Sequence, residues 1–315
     1  MSIYADPTKT PSLESSLYHL QHDERQFFQL LTGINDDNEL RDHILAVQSK
    51  AYQIYGYACI LYRFRHATLR ALILSRLKIA RLPGYLKALK LLEQHKHPIL
   101  LDIGCCFGND TRKAVVDGWP VENVIASDLR QGFWDAGHEL FKSTPASFPA
   151  AFIPGDIFES SMLDTSDSAA DANQQPIRPL SSLASLTPLK HQISAIHASS
   201  FFHLFYEERQ LELAKRLASL LLPERGSIIF GQHGSRPEKG FRMEAIRKDQ
   251  DAAQAREPMF CHSPDSWAKL WTEDIFGPHQ QVRVKVDAEL QQVQRWDFED
   301  LDAKFYVMNW SVQVL

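Results

Sequence analysis

The sequence predicts an α/β protein in which a mostly parallel sheet follows a helical N-terminal region and ends in an antiparallel edge. Three observations support this fold class. Before residue 95, apolar residues recur at the spacing of amphipathic helices. After it, short apolar runs alternate with longer amphipathic stretches, as in strands joined by right-handed helical crossovers. The chain then ends in two β-like runs, residues 281–286 and 306–314, which predict the antiparallel edge.

The individual elements follow from the same patterns. Short apolar runs predict strands at residues 99–103, 123–127, 152–153, 193–198 and 227–230. Amphipathic stretches predict helices after residue 108 and at residues 131–141, 207–222 and 263–271. In the last of these, Ser263 is a suitable N-cap and Pro264 a suitable first residue.

Turn-forming residues between the elements suggest how the chain is divided into domains. We expect a helical N-terminal cover over residues 1–94 and a ligand-binding domain over residues 95–315. Residues 160–190 are rich in Ser, Ala, Asp and Pro and have no clear period. They predict a flexible insertion within the second domain.

The composition is that of a folded globular protein, because 44% of the 315 residues are hydrophobic and 23% are charged. A net charge of −5 gives no reason to expect nucleic acid or an anionic membrane as a partner. The four cysteines form no C-x-x-C pair, which favours a reducing compartment. The sequence shows neither a secretory pattern at its start nor an apolar run of about 18 residues, so we expect a cytoplasmic protein.

The most informative segment is a glycine loop between the first predicted strand and the helix after it. The loop reads D-I-G-C-C-F-G from Asp102 to Gly108, and glycines at such a turn let a ligand approach the backbone closely. A dinucleotide fingerprint would need glycines where Cys106 and Asn109 stand, and no G-K-[ST] of a phosphate loop follows. The loop therefore favours a nucleotide-like ligand without phosphates, and S-adenosylmethionine is such a ligand.

Each of the first three predicted strands also leads to an acid at this edge of the sheet. Asp102 can hold the ammonium group of the methionine part, directly or through water. Asp128 can accept both ribose hydroxyls, and Asp156 can take the adenine amino group while Ile157 lies beside the ring. A single acid after a strand is commonly only a helix N-cap, but three in this order predict a cofactor site. The predicted site comprises Asp102, Gly104, Cys105, Cys106, Gly108, Asp128, Leu129, Asp156, Ile157 and Ala198.

The glycine loop, the D-L-R that begins at Asp128 and the G-D-I-F that contains Asp156 resemble the motifs of class I S-adenosylmethionine-dependent methyltransferases. The strings L-D-I-G-C-C-F-G-N-D, V-I-A-S-D-L-R, S-S-F-F-H-L-F and G-S-I-I-F-G-Q-H are similar to those of fungal small-molecule methyltransferases of secondary metabolism. This narrower resemblance covers roughly residues 83–271. It implies a Rossmann-like class I methyltransferase fold, S-adenosylmethionine as cofactor and S-adenosylhomocysteine as product.

The resemblance also bears on the acceptor, because better-known members of the group O-methylate carboxylic acids. It implies a small organic acceptor with carboxyl oxygen as the first choice of nucleophile. Phenolic oxygen is the alternative, and a cofactor-binding protein without catalytic activity is a further one. The oligomeric state is not predicted.

Two histidines follow the fourth and fifth predicted strands, where acceptor and methyl group would meet. A carboxylic acid, with a pKa of about 4, arrives ionised, whereas a phenol, with a pKa of about 10, gains from a neighbouring base such as histidine. We name His203 and His233 as candidate catalytic residues, each with a structural role as the alternative. Phe201, Phe202 and Trp267 are candidate substrate contacts. For Trp267 the alternative is that it simply buries its helix.

Two features that the sequence lacks narrow the range of methylation reactions that we expect. No [ND]-P-P-[YF] follows the fourth predicted strand, where Ala198-Ser199-Ser200 stands instead, and this disfavours N-methylation of that type. No acid ends that strand, so we expect no metal ion. Aromatic and basic residues of the N-terminal region are more often packed on the core or solvated than bound to substrate. They are Tyr52, Tyr55, Tyr57, Tyr62, Arg63, Phe64 and Arg65.

Overall fold

A computed structural model describes residues 18, 20–55, 77–166, 178–242, 259–293 and 304–315 of the chain. The strands are β1 (Leu100–Ile103), β2 (Val124–Asp128), β3 (Ala151–Pro154), β4 (Ala195–His197), β5 (Ile228–Ser235), β6 (Gly240–Arg242), β7 (Met259–Cys261), β8 (Val284–Val293) and β9 (Phe305–Val314). The helices are α1 (His22–Thr32), α2 (Asp37–Ile54), α3 (Pro83–Leu89), α4 (Leu91–Gln94), α5 (Asn109–Val116), α6 (Gln131–Leu140), α7 (Glu207–Leu220) and α8 (Pro264–Lys269). A π-helical segment, Leu270–Ile275, continues α8.

Seven strands form one sheet in the order β3-β2-β1-β4-β5-β9-β8. The strands from β3 to β5 in this order pair in parallel, whereas β9 pairs antiparallel with both of its neighbours. This arrangement confirms the predicted α/β class and its antiparallel edge. Chain order reverses between β1 and β4, and ligands of such sheets bind at the carboxyl ends of the strands beside this reversal.

Several elements differ in extent from the sequence expectation. β5 continues past residue 230 to Ser235 because it pairs with β9 over its full length. β8 begins at Val284 rather than at residue 281 and reaches Val293. Because it is the outermost strand of the sheet, it carries many polar residues, and the apolar pattern did not show its full length. The pair β6 and β7 was not predicted, since three residues are too few to show a period.

The N-terminal helices pack against the sheet domain. α1 contacts the end of α6, where the rings of Phe28 and Phe141 stack with their centroids 5.1 Å apart. α3 lies directly on β5, because a Cβ added to Gly84 would come within 2.6 Å of Phe230 Cβ. The division of the chain at residue 94 stays a prediction.

Two segments singled out in the sequence fall partly outside the described residues. Tyr52 packs against the apolar cluster between α1, α2 and α6, as a core role requires, whereas residues 57–65 are not among the described residues. Residues 167–177 of the predicted insertion also lie outside them. The described flanks of that insertion are packed rather than loose, because they bury Met162, Leu163, Leu180, Leu186 and Leu189 in the main core. None of the helices in the described part of the chain has the length and apolar character of a membrane span.

Candidate functional site

The glycine loop crosses the carboxyl end of β1 and is fastened to the end of β2. The backbone N–H groups of Gly104 and Cys105 both donate to the carbonyl oxygen of Ser127, at 2.8 and 3.1 Å. Gly104 and Cys106 have positive φ angles of 71° and 52°. The loop therefore turns tightly at the point of chain reversal, with its backbone close to any ligand that lies at this edge.

Gly108 ends the loop and begins α5, with φ at 68°. A Cβ at this position would lie 2.5 Å from Trp134 Cζ3, so both the backbone conformation and the neighbouring ring require glycine. The ring of Phe201 similarly covers Gly104, since a Cβ there would lie 2.9 Å from Phe201 Cδ2. Phe201, a predicted substrate contact, is thus placed against the glycine loop.

Arg112 on α5 holds the loop from inside. Its Nη1 donates to the carbonyl oxygens of Phe107 and Gly108, at 3.0 and 3.3 Å. Burial lowers the pKa of Arg112 to about 9. The guanidinium lies within 5.1 Å of the centroids of three rings, those of Trp134, Phe141 and Phe148.

Asp128 stands where the sequence predicts the ribose site. One carboxylate oxygen accepts the N–H of Cys106 at 2.9 Å and the other accepts the N–H of Arg130 at 3.0 Å. Burial raises the pKa of Asp128, and these two hydrogen bonds oppose the rise. Each oxygen has a second lone pair, so the carboxylate can still accept hydroxyl groups.

Asp156 lies at the same edge, after β3. Its Oδ1 accepts the N–H of Phe158 at 3.0 Å, and the preceding Gly155 N–H donates to the carbonyl oxygen of Asp128 at 3.1 Å. Ile157 is buried, whereas Leu129 is 55% exposed. The structure thus brings the second and third acids of the predicted cofactor site together at one edge, and their ribose and adenine roles stay predictions.

Asp102 has different surroundings from the other two acids. It is only 2% exposed, its Oδ1 contacts His197 Nδ1 at 2.9 Å, and its Oδ2 accepts the hydroxyl of Thr111 at 2.6 Å. The carboxylate therefore lies beneath the loop rather than open to a ligand. Its predicted contact with the methionine ammonium stays a prediction and has only the remaining lone pairs available to it.

The contact between Asp102 and His197 continues to a partly exposed serine just after β4. His197 Nε2 lies 2.7 Å from Ser199 Oγ, which also accepts the N–H of Gln232 at 3.2 Å. The parallel register of β1 and β4 makes Asp102 and His197 direct partners. Sequence reasoning missed His197 and Ser199. The available signal was a histidine at the end of a buried strand that must pair with the strand ending in Asp102.

Charged groups surround His197 on neighbouring elements. Burial lowers the pKa of His197, but the hydrogen bond and charge of Asp102 outweigh it and raise the pKa overall. Asp110 on α5 is partly exposed, yet desolvation raises its pKa, while the charges of His197 and Lys78 oppose the rise. Lys78 Nζ donates to Ser200 Oγ at 3.0 Å, so an ammonium group stands at the carboxyl end of β4.

The two candidate catalytic histidines are held by fixed hydrogen bonds. His203 Nδ1 accepts the N–H of Gly234 at 3.1 Å, so the neutral ring carries its proton on Nε2. His233 Nδ1 accepts the indole N–H of Trp310 at 2.9 Å, and burial holds the pKa of His233 well below its ordinary value. His233 is only 2% exposed, so the structure places it in the core rather than on an open surface.

Phe202 and Trp267, two predicted substrate contacts, are also fully buried. Their ring centroids are 4.9 Å apart, and His233 lies 4.6 Å from Trp267. Both residues thus pack in the core, which is the alternative expected for Trp267 and was not expected for Phe202. Ala198 is likewise fully buried, and its carbonyl oxygen lies so close to β5 that a Cβ on Gly231 would approach it to 2.4 Å. Among the described residues, no group of three or more His, Cys, Asp and Glu side chains could hold a metal ion.

Comparison with known proteins gives a consistent set of relatives. The model of the meroterpenoid methyltransferase N-terminal domain matches residues 13–67. The chain is 29% identical to O-methyltransferase phiE of Fungal sp. over 249 residues, covering 77% of this chain and 68% of the relative. It is 30% identical to methyltransferase ausD of Penicillium brasilianum, covering 78% and 73%. It is 28% identical to methyltransferase adrK of Penicillium rubens, covering 95% and 88%.

Proposed function

The chain belongs to the family of fungal class I S-adenosylmethionine-dependent methyltransferases that includes ausD of Penicillium brasilianum, and from this we propose that it methylates a carboxyl oxygen of a small organic acid. The product is a methyl ester.

The donor groups at this edge suit the cofactor. Asp128 and Asp156 offer carboxylate oxygens to the ribose hydroxyls and the adenine amino group. For the ammonium group, only the remaining lone pairs of Asp102 beneath the loop are available from the three acids. Gly104 and Gly108 supply the positive φ angles that the tight turn of the loop at this edge needs. The bound cofactor supplies the methyl group: the new carbon–oxygen bond forms as the carbon–sulfur bond breaks, and the electron pair stays on sulfur. The protein aligns the acceptor oxygen and excludes water.

The ammonium group of Lys78 is the observation that carries the carboxylate assignment. It lies at the carboxyl end of β4, held by Ser200 Oγ at 3.0 Å, and its side chain is partly exposed. An ammonium group attracts a carboxylate but not the neutral ester formed from it, so binding favours the acceptor over the product. His203 supports the same choice, because a ring protonated on Nε2 is a hydrogen-bond donor and not a base. An ionised carboxylate needs no base.

Calorimetric titration with S-adenosylmethionine and S-adenosylhomocysteine, followed by a mass-spectrometric product screen with aromatic acids, tests this proposal. We expect both cofactor forms to bind and methyl esters to form. Lys78→Met should raise the KM of the carboxylic acid about tenfold or more while the affinity for S-adenosylhomocysteine stays the same.

Lys90→Met is the matched control, because Lys90 is an exposed lysine at the end of α3. It should leave the KM unchanged. If Lys78→Met instead weakens cofactor binding and leaves the acceptor KM unchanged, Lys78 binds the methionine carboxylate and the assignment to the acceptor fails. Ethers without esters would contradict the carboxyl proposal itself.

A further inference from the structure

A chain of three side chains leads from beneath the cofactor loop to the site. Asp102 contacts His197 at 2.9 Å and His197 contacts Ser199 at 2.7 Å. Asp102 and His197 are each 2% exposed, whereas Ser199 is partly exposed at the carboxyl end of β4. The inner end of this chain is therefore sealed, whereas its outer end is partly exposed at the edge of the sheet where the cofactor site is predicted.

The hydrogen bonds fix the direction in which a proton can move along this chain. Asp102 accepts from Thr111 on its other oxygen, so its Oδ1 is an acceptor for the Nδ1–H of His197. Nε2 of the neutral ring then accepts the hydroxyl proton of Ser199. Because Ser199 Oγ also accepts the N–H of Gln232, its one remaining lone pair is left for a further donor.

Methylation of a carboxylate does not use this arrangement, since the acceptor is already ionised. Burying an acid and a histidine costs free energy. A purely structural link between β1 and β4 would need only Asp102 and His197 and would not need Ser199. A hydroxyl acceptor, by contrast, arrives protonated and gains from a base at its oxygen.

We propose that Ser199, backed by His197 and Asp102, takes the proton of a hydroxyl acceptor, so that the site also methylates phenols or enols to ethers. The inference rests on the proposed function, because it uses the same cofactor and the same edge of the sheet. As the new carbon–oxygen bond forms, the acceptor proton passes to Ser199 Oγ and the Ser199 proton passes to His197 Nε2. The resulting imidazolium is paired with the Asp102 carboxylate and later returns its proton to water through Ser199.

The protonation of His197 makes the two reactions respond differently to pH. The groups that face it are Asp102 on β1, Asp110 on α5 and Lys78 ahead of α3. The net effect of its surroundings is a pKa above the ordinary 6.5 of histidine, so ether formation should fall as pH drops through that raised value. The rate of ester formation should not fall in this pH range, because a carboxylic acid stays ionised down to a pH of about 4.

Aromatic hydroxy acids, which carry a carboxyl and a phenol on one molecule, give a direct test. Ser199→Ala should lower the ratio of ether to ester by about 10²- to 10⁴-fold, the usual contribution of a general base. His197→Gln keeps a donor toward Asp102 and an acceptor toward Ser199 but accepts no proton, and should lower the ratio similarly. Ser194→Ala, a buried serine at the opposite end of β4, should leave the ratio unchanged.

A second readout needs no turnover. In protein labelled with ¹⁵N-histidine, saturated with S-adenosylhomocysteine and held at a pH above the raised pKa of His197, addition of an acidic phenol should move the His197 signal toward the imidazolium form. The His197→Gln variant identifies that signal by its loss. Thermal unfolding and S-adenosylhomocysteine affinity of both variants separate a relay from a purely structural role.

The outcomes divide cleanly. Esters without any ethers from the wild-type protein, or an unchanged product ratio in Ser199→Ala, would overturn the relay and leave the proposed function intact. An unmoved His197 signal would also overturn the relay. Failure of the proposed function looks different, because then neither product forms or no cofactor binds.

Discussion

Asp102 lies one residue before the end of β1 and Asp128 ends the neighbouring β2, yet the structure gives their carboxylates different surroundings. Asp102 is enclosed by His197 and Thr111, whereas Asp128 accepts two backbone N–H groups and keeps part of its surface open. The sequence shows only an acid after an apolar run in both cases. The difference arises from the parallel register that sets His197 beside Asp102, and register between distant strands is not visible in one sequence.

Replacing Asp128 by alanine tests its ribose role. A charge-assisted hydrogen bond is worth about 1.5–3 kcal/mol, so Asp128→Ala should weaken S-adenosylhomocysteine binding at least about tenfold. Calorimetry with 2′-deoxy-S-adenosylhomocysteine provides the control, because the variant should bind the deoxy and parent compounds alike whereas the wild-type protein should prefer the parent. A variant that still discriminates between them would show that the ribose hydroxyl is bound elsewhere.

At the scale of the element, the loop between β1 and α5 is built from two independent constraints. Backbone bonds to Ser127 hold its start, and Arg112 holds its end through carbonyl oxygens. The glycine spacing made the loop predictable, since it is local in the sequence. Arg112 was not predictable in this role, because a lone arginine on a helix is ordinarily solvated and its three ring neighbours come from later segments.

Gly108→Ala should destabilise this loop more than the same change at Gly33. Both glycines have positive φ angles, 68° and 72°, so alanine costs about 1–2 kcal/mol at either position. Only at Gly108 does the added Cβ meet a neighbour, Trp134 at 2.5 Å, and overpacking adds about 1–3 kcal/mol. Urea unfolding measures the free-energy difference, and S-adenosylhomocysteine affinity should fall for Gly108→Ala alone. Equal losses of stability would mean that the indole moves aside freely.

Over the whole molecule, the pattern of short apolar runs was sufficient to predict the parallel strands and the antiparallel edge. It could not predict where β9 inserts or that β8 lies outside it, because an antiparallel strand pairs with equal ease at several places along a sheet edge. The buried cluster of Phe202, His233 and Trp267 follows from that insertion, since Trp310 of β9 packs against all three. Phe202 and Trp267, which the sequence predicts at the edge of the site, therefore lie in the core.

Two buried histidines should make the fold sensitive to acid. Burial lowers the pKa of His262 to about 4 and that of His233 well below 6.5. Below pH 6.5 the unfolded chain therefore binds more protons than the folded protein, and the free energy of unfolding decreases as the pH is lowered. Each histidine lowers the free energy of unfolding by at most about 1.4 kcal/mol per pH unit. For His262 this loss occurs between pH 6.5 and 4. Buried acids with raised pKa values, such as Asp128, oppose this slope.

The His262→Gln variant isolates one histidine. Urea unfolding at pH 7, 6 and 5 should show a smaller loss of stability for the variant than for the wild-type protein. Parallel pH dependences for the two proteins would mean that His262 becomes protonated in the folded state.

The position of β9 between β5 and β8 also has a consequence during synthesis. β5 gains its second neighbour only when residues 305–314 have left the ribosome, because the strand that completes it comes last among the strands in the described part of the chain. Until then the long β5 presents an unpaired row of backbone groups, and such an edge is open to pairing with other chains. A nascent chain halted before this strand carries the whole predicted cofactor site but exposes an edge that favours aggregation.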